Sequence, residues 1–166
     1  MILGMSLQTF TFVHVLLSLV GIGSGFVVVF GLLSGKRLNG WTLLFLVTTV
    51  LTSATGFLFP VEHLLPSHIL GILSLVVLAL AIVARYAFHM AGAWRTTYAV
   101  GAVIALYFNC FVGVVQAFEK VPALKALAPT QKEPPFLVAQ LVVLAIFVAL
   151  GIIAAKRFRS ASMLPA

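Results

Sequence analysis

Three of the four histidines, His14, His63 and His68, are the residues with the clearest capacity for chemistry, and Glu62 is adjacent to one of them. Imidazole nitrogens are common ligands of zinc, copper and haem iron. His14, His63, His68 and Glu62 form a candidate site for a divalent metal, and His14 with His68 form the axial pair of a candidate haem b site. The spacing Glu62-His63-x4-His68 matches no established ligand motif, so the hypothesis depends on whether the fold brings these residues together.

The composition indicates a membrane protein. Of the 166 residues, 63% are hydrophobic and 8% are charged, whereas about a quarter of the residues of a soluble domain are charged. A membrane-spanning helix needs about 20 apolar residues, and five such stretches fit into the chain. The predicted fold is therefore all-α, a polytopic transmembrane helical bundle of five helices that forms a single domain over residues 1–166.

Five apolar segments define the predicted helices. Pro60 ends the second helix, Ser67 is the predicted N-cap of the third, and Pro135 occupies a tolerated first-turn position in the fifth. The predicted helices run approximately from Leu7 to Leu33, Trp41 to Phe59, Ser67 to Phe88, Thr96 to Phe118 and Pro135 to Ala155.

Basic residues are unevenly divided between the two ends of this bundle. One end, called the arginine end, receives no acidic residue and seven basic ones, which are Lys36, Arg37, Arg85, Arg95, Lys156, Arg157 and Arg159. The opposite end, called the histidine end, receives three basic residues and all three glutamates. Because cytoplasmic loops collect Lys and Arg, the N-terminus is predicted outside and the C-terminus in the cytoplasm. The basic residues are interpreted as topology determinants that meet anionic lipid, and no nucleic-acid partner is predicted.

This topology places His14, His63 and His68 together at the histidine end. His14 shares a helix face with Ser18, Gly21 and Gly25, and small residues allow close helix packing in lipid. His14 is therefore predicted to point into the bundle. Polar and small side chains also align on the second and fourth helices, which indicates helix–helix contacts or, alternatively, the lining of a channel. The candidate residues that line a polar pocket are Asn109, Gln116, Gln140 and Thr55.

Three interpretations of the histidines remain open. They are ordinary interfacial residues bonded to backbone or water, ligands of a metal or haem, or a proton and pH sensor. His89 is the one histidine at the arginine end, which disfavours a two-haem electron wire within one chain, although a homodimer could supply the missing ligand. The chain contains no aspartate and therefore no Ser-His-Asp triad, and the single Cys110 gives no CxxC motif.

Several short stretches resemble small uncharacterised integral membrane proteins of proteobacteria. The similarity covers most of the chain and implies a location in the bacterial inner membrane, without an established activity, cofactor or catalytic residue. The stretches are Thr55-Gly56-Phe57-Leu58-Phe59-Pro60, Pro66-Ser67-His68, Trp94-Arg95, Val115-Gln116-Ala117-Phe118-Glu119-Lys120, Ala128-Pro129-Thr130 and Glu133-Pro134-Pro135-Phe136.

The sequence thus favours a small inner-membrane protein with a histidine-bearing pocket near the periplasmic face, acting as a non-catalytic or accessory component. The alternatives are a membrane redox protein that binds haem b or a metal, and a small proton or solute carrier. The expected partners are the lipid bilayer and, through the small-residue stripes, a second copy or a larger membrane complex. The segment Val121 to Phe136 is predicted to form a short amphipathic turn on the outer interface, or a lid over the pocket.

Overall fold

The computed structural model describes residues 2–60 and 66–160, which form helices and no strand. Helix α3 continues into one π-helical turn, Val83–Ala87. The helices are α1 (Leu7–Leu33), α2 (Asn39–Gly56), α3 (Pro66–Ile82), α4 (Trp94–Lys120), α5 (Pro122–Leu127) and α6 (Pro134–Ser160). The predicted all-α class is confirmed, and α5 lies within the segment Val121 to Phe136, for which a short amphipathic turn or a lid was predicted.

Among the described residues, four helical segments are long and apolar enough to cross a membrane, namely Leu7–Leu33, Ser67–Ala87, Trp94–Lys120 and Pro134–Arg159. Helix α2 differs from them because it has 18 residues, which gives it a length of about 27 Å. It begins with Asn39 and Gly40 and carries six threonine or serine side chains. The fold therefore contains four candidate spans and a fifth, shorter and more polar helix.

Helix α4 occupies the centre of the bundle and packs against α1, α3, α5 and α6. Tyr98, Ala102, Ala105 and Leu106 of this helix are fully buried. Helix α1 also packs against α2 and α6, and α3 also packs against α2. The outward faces of the long helices expose large apolar side chains, as expected of surfaces that meet lipid.

Small residues allow α1 to approach its neighbours closely. A Cβ atom added to Gly21 would lie 3.2 Å from Thr49 Oγ1, and one added to Gly25 would lie 2.6 Å from Leu106 Cδ1 and 2.9 Å from Phe45 Cε2. The predicted stripe is therefore a helix–helix contact within the chain. Because these glycines are already covered by α2 and α4, they no longer support self-association.

Two predicted helix boundaries are wrong for local reasons, and α6 also continues five residues past its predicted end, to Ser160 rather than Ala155. Helix α2 ends at Gly56 rather than Phe59, because the Phe57 and Leu58 N–H groups bond to carbonyls three residues earlier and close a tight turn. Ser67 is not an N-cap, since Pro66 already occupies the first turn of α3, where its missing N–H costs nothing. Pro135 lies in the first turn of α6, as predicted.

Candidate functional site

His14 is held by one short hydrogen bond to α2. Its Nδ1 lies 2.8 Å from Thr55 Oγ1, and that hydroxyl donates its own proton to the Leu51 carbonyl at 2.7 Å. Because a hydroxyl has a single proton, Thr55 must accept from a protonated Nδ1, which leaves the lone pair of His14 on Nε2. Metal-binding histidines are commonly oriented by such a bond at the other ring nitrogen, so this geometry is compatible with a ligand role.

Aromatic rings enclose the half-buried imidazole of His14. The Phe59 ring lies edge-on to it, with centroids 5.1 Å apart, and Phe10 packs on Phe59 at the same distance. A Cβ atom added to Gly56 would be 3.8 Å from His14 Cε1, so the imidazole also lies against the α2 backbone. Hydrogen bonding and packing thus fix the ring at the end of α2.

His68 is buried at the same end of α2 but contacts a different residue. Its ring lies 5.5 Å from the ring of Phe57, whereas His14 contacts Thr55 and Phe59. His68 is 7% exposed, so it belongs to the packed bundle and not to its surface. The two histidines therefore converge on the segment from Thr55 to Phe59 through separate partners.

The other two candidate metal ligands, Glu62 and His63, lie outside the described residues. They follow Phe59 by three and four positions in sequence. Within residues 2–60 and 66–160, no three His, Cys, Asp or Glu side chains are grouped closely enough to hold a metal ion. The site formed by His14, His63, His68 and Glu62 thus stays a prediction, as does the haem pair.

Each of the residues predicted to line a polar pocket forms a hydrogen bond with a different partner. Asn109 Nδ2 donates to Thr49 Oγ1 at 3.3 Å, and Gln140 Nε2 donates to the Phe111 carbonyl at 3.2 Å. Gln116 reaches Glu119 of its own helix at 3.4 Å. The structure thus assigns Asn109, Gln140 and Thr55 a role in joining helices, and their role in a shared pocket stays a prediction.

The loop between α5 and α6 is ordered by Glu133. This carboxylate accepts hydrogen bonds from the Thr130 hydroxyl at 2.9 Å, the Thr130 N–H at 3.2 Å and the Lys132 N–H at 3.0 Å. Partial desolvation alone would raise the pKa of Glu133, but these bonds and one from its own N–H together lower it. Gln131 also donates to the Val115 carbonyl at 3.0 Å, which ties the loop to α4.

The arginine end contains a buried cation that sequence reasoning treated only as a topology determinant. Arg85 is 6% exposed, and its Nη2 donates to Asn39 Oδ1 at 2.5 Å and to the Arg37 carbonyl at 3.3 Å. Its guanidinium carbon lies 4.9 Å from the centre of the Tyr98 ring, a cation–π distance. The π-helical turn Val83–Ala87 carries this residue, and such turns are frequent at functional sites.

Arg95 is a second buried cation at this end. It is 8% exposed, donates from Nη1 to the Phe158 carbonyl at 3.1 Å, and lies 4.5 Å above the Phe158 ring. Tyr98 lies one turn further along α4, and its hydroxyl is 3.2 Å from Thr42 Oγ1. Arg95 therefore joins α4 to the end of α6, while Arg85 joins the end of α3 to the turn before α2.

Within residues 2–60 and 66–160, neither arginine has a carboxylate partner. Glu119 and Glu133 lie at the histidine end, at the last turn of α4 and just before α6, and Glu62 belongs to the undescribed linker between α2 and α3. The signal that could have identified Arg85 was its position inside the third apolar segment, three residues before the predicted helix end at Phe88. Intramembrane ionisable residues are expensive and commonly functional.

Two concave regions differ in character. One is a groove of about 440 Å³ between α4 and α6, lined by apolar side chains such as Val103, Tyr107 and Phe147. The other is a cavity of about 480 Å³ at the arginine end, and the residues that line it include Arg37, Asn39, Arg85, Tyr86, His89 and Met90. The first suits the acyl chains of surrounding lipid, whereas the second offers cationic and hydrogen-bonding groups.

Comparisons with family models, curated proteins and solved structures give no match for this chain. The resemblance to small proteobacterial membrane proteins therefore stays a prediction. The function has to be argued from the geometry of the two ends.

Proposed function

We propose that this chain is a small, non-catalytic accessory protein of the bacterial inner membrane, with a histidine-bearing pocket at the periplasmic face. The observation that carries the proposal is that polar side chains inside the bundle join one helix to another. His14 joins α1 to α2, Asn109 joins α4 to α2, and Ser53 joins α2 to α3 through Ser74 at 3.0 Å. Such bonds stabilise helix contacts in lipid and supply a framework for docking to other membrane components.

The proposed topology has five spans, with α2 crossing the bilayer beside α1. A short turn joins the two helices, and they pack against each other. Leu43, Leu44, Val47 and Leu51 of α2 are exposed, as expected of a face that meets lipid. Five crossings place the two termini on opposite sides, and the excess of basic residues supports a cytoplasmic arginine end.

A metal- or haem-binding redox protein is the second candidate, and one observation favours it. The bond from His14 Nδ1 to Thr55 leaves Nε2 as the ligand atom, and His68 is buried at the same end of α2. His14 and His68 would hold a haem, and Glu62 and His63 would be added for a mononuclear metal. The group would supply electron transfer or Lewis acidity, while Thr55 would fix the orientation of the His14 ring.

The proposed partners are the surrounding bilayer and a second copy or a larger membrane complex. Helix α6 supports docking because only 11% of its most apolar 18-residue window is buried within the chain. Leu137, Leu141, Val148 and Ile152 are exposed on this helix. This face is therefore available to lipid or to another transmembrane helix.

The two candidates are separated by purifying the full-length protein in a mild detergent and measuring its absorption spectrum and metal content. The accessory role predicts no Soret band, no stoichiometric metal and no proton flux in proteoliposomes. The redox candidate would replace the accessory role if the protein shows a Soret band or bound metal. That signal should be lost in His14→Ala and His68→Ala and kept in the control His89→Ala. Flux that is lost in Asn109→Ala would instead establish a carrier.

A further inference from the structure

Arg85 is a buried cation whose described hydrogen-bond acceptors are all uncharged. Its described hydrogen-bond acceptors are the Asn39 side chain, the Arg37 carbonyl and the Met90 sulfur at 3.8 Å. A guanidinium has five N–H donors, and these three acceptors are all uncharged. A buried charge without a counter-charge is destabilising, which indicates that an anion completes this site.

The cavity at the arginine end has the groups that an anion requires. Arg37, Arg85 and His89 line it, together with the Asn39 amide. His89 and Met90 both have positive φ, +48° and +57°, a backbone conformation that costs energy in residues other than glycine. The stacked rings of Phe88 and Trp94, 4.1 Å apart and parallel, hold the two sides of this turn together.

The position of the cavity favours a lipid over a soluble anion. Arg85 lies in the last turn of the candidate span Ser67–Ala87, and the ends of a span of this length lie close to the headgroup regions of a bilayer. Leu43 and Tyr86 line the same cavity and are 55% and 47% exposed, so apolar surface continues from the cationic groups. Arginine pairs well with phosphate because its planar fork makes two parallel hydrogen bonds.

We propose that the cavity formed by Arg37, Asn39, Arg85 and His89 binds the phosphate of an anionic phospholipid headgroup. Arg85 forms the base of the site, Asn39 and Tyr98 fix its orientation, and Arg37 and His89 contact the phosphate from the rim. The site requires that the arginine end lie at a membrane surface, and it does not depend on the histidine end. A bound haem or metal at His14 would therefore leave this proposal intact.

The test is native mass spectrometry of the full-length protein in a non-ionic detergent, incubated with equal amounts of phosphatidylglycerol and phosphatidylcholine of identical acyl chains. The wild type is expected to retain phosphatidylglycerol about tenfold better. Arg37→Gln, which keeps the carbonyl that accepts from Arg85, is expected to lower that preference to about threefold. Arg85→Met is expected to abolish it, with helix content checked by circular dichroism.

Arg157→Gln is the matched control, because it removes one exposed positive charge from the same end of the chain but outside the cavity. It is expected to change the preference by less than about twofold. Equal retention of both lipids by the wild type, or an equal loss in Arg157→Gln and Arg37→Gln, would overturn the proposal. If inorganic phosphate at the same concentration displaces phosphatidylglycerol, the occupant of the site is a soluble anion and the proposed lipid is wrong.

Discussion

The two ends of the bundle place ionisable side chains in opposite electrostatic situations. At the histidine end, the described glutamates lie close to lysines in sequence and accept local hydrogen bonds, and His14 has a neutral hydroxyl partner. At the arginine end, two guanidinium groups are buried against carbonyls and aromatic rings. The histidine end can therefore be stable without a ligand, whereas the arginine end is completed by an anion from its surroundings.

The largest effect is expected from Arg85→Ala. The change leaves Asn39 Oδ1 and the Arg37 carbonyl without their donor and opens a cavity beside Tyr98, so the free energy of unfolding should fall by about 3 kcal/mol in detergent with anionic lipid. Unfolding in a titration with sodium dodecyl sulfate measures it. Arg157→Ala, which removes an exposed charge, is the control, and its free energy of unfolding should fall by less than about 0.5 kcal/mol. An equal loss in both variants would remove the distinction between a buried cation and a surface charge.

A somewhat smaller loss is expected from Gly25→Leu, which tests the packing between the two ends. The added side chain would collide with Leu106 and Phe45, and overpacking typically costs about 1–3 kcal/mol. Gly23→Leu is the matched control, since no atom lies within 4 Å of a Cβ at that position. The same titration should show a loss in the first variant only. A stable Gly25→Leu protein would contradict the close approach of α1 to α2 and α4.

Thr55→Val tests the bond that orients the imidazole at the histidine end. It removes the acceptor of His14 Nδ1–H with little change in shape, and the expected loss is about 1 kcal/mol. Thr11→Val is its control, because the described bond of the Thr11 hydroxyl is to the Leu7 carbonyl of its own helix. Equal unfolding free energies of these two variants would show that the His14–Thr55 bond contributes nothing to stability.

The smallest expected effect is the loss of stability at low pH in the loop that Glu133 orders. Its folded-state pKa is lowered, so its contribution to stability is present above the unfolded pKa and is lost as the pH falls through the folded pKa. The Thr130 turn should therefore loosen only in acid, well below neutral pH. A carboxyl titration followed by nuclear magnetic resonance should give a higher pKa for Glu133 in Thr130→Val than in the wild type. An unchanged pKa would show that the Thr130 hydroxyl does not stabilise the carboxylate.

Hydropathy and small-residue spacing predicted most of the fold. The limits of α1 were predicted to the residue, and the faces of Gly21 and Gly25 were predicted correctly. These features depend on local apolar length and on a helix period, which a single sequence displays. Helix α2 was predicted less well because its end is set by the turn at Phe57 and Leu58, and such a turn leaves little trace in hydropathy.

The candidate site was predicted in part. His14 was expected to face inward, and it does, but its partner Thr55 could be known only from the packing of α1 on α2. The burial of Arg85 and Arg95 was missed, because their positions near helix ends led to their interpretation as topology determinants that meet anionic lipid. The ring that covers Arg85 is that of Tyr98, which belongs to the next long helix. The ring that covers Arg95 is that of Phe158, which lies near the end of α6 and is distant in sequence. Tertiary contacts of this kind are not encoded in local spacing.

The central claim is that α2 crosses the membrane, so that the two ends face opposite compartments. In a Cys110→Ala background, Lys36→Cys and Lys125→Cys place single cysteines at exposed positions in the turn before α2 and in α5. A membrane-impermeant maleimide applied to spheroplasts should label Lys125→Cys and leave Lys36→Cys unlabelled until the membrane is opened. Labelling of both positions, or of neither, before the membrane is opened would contradict the five-span account.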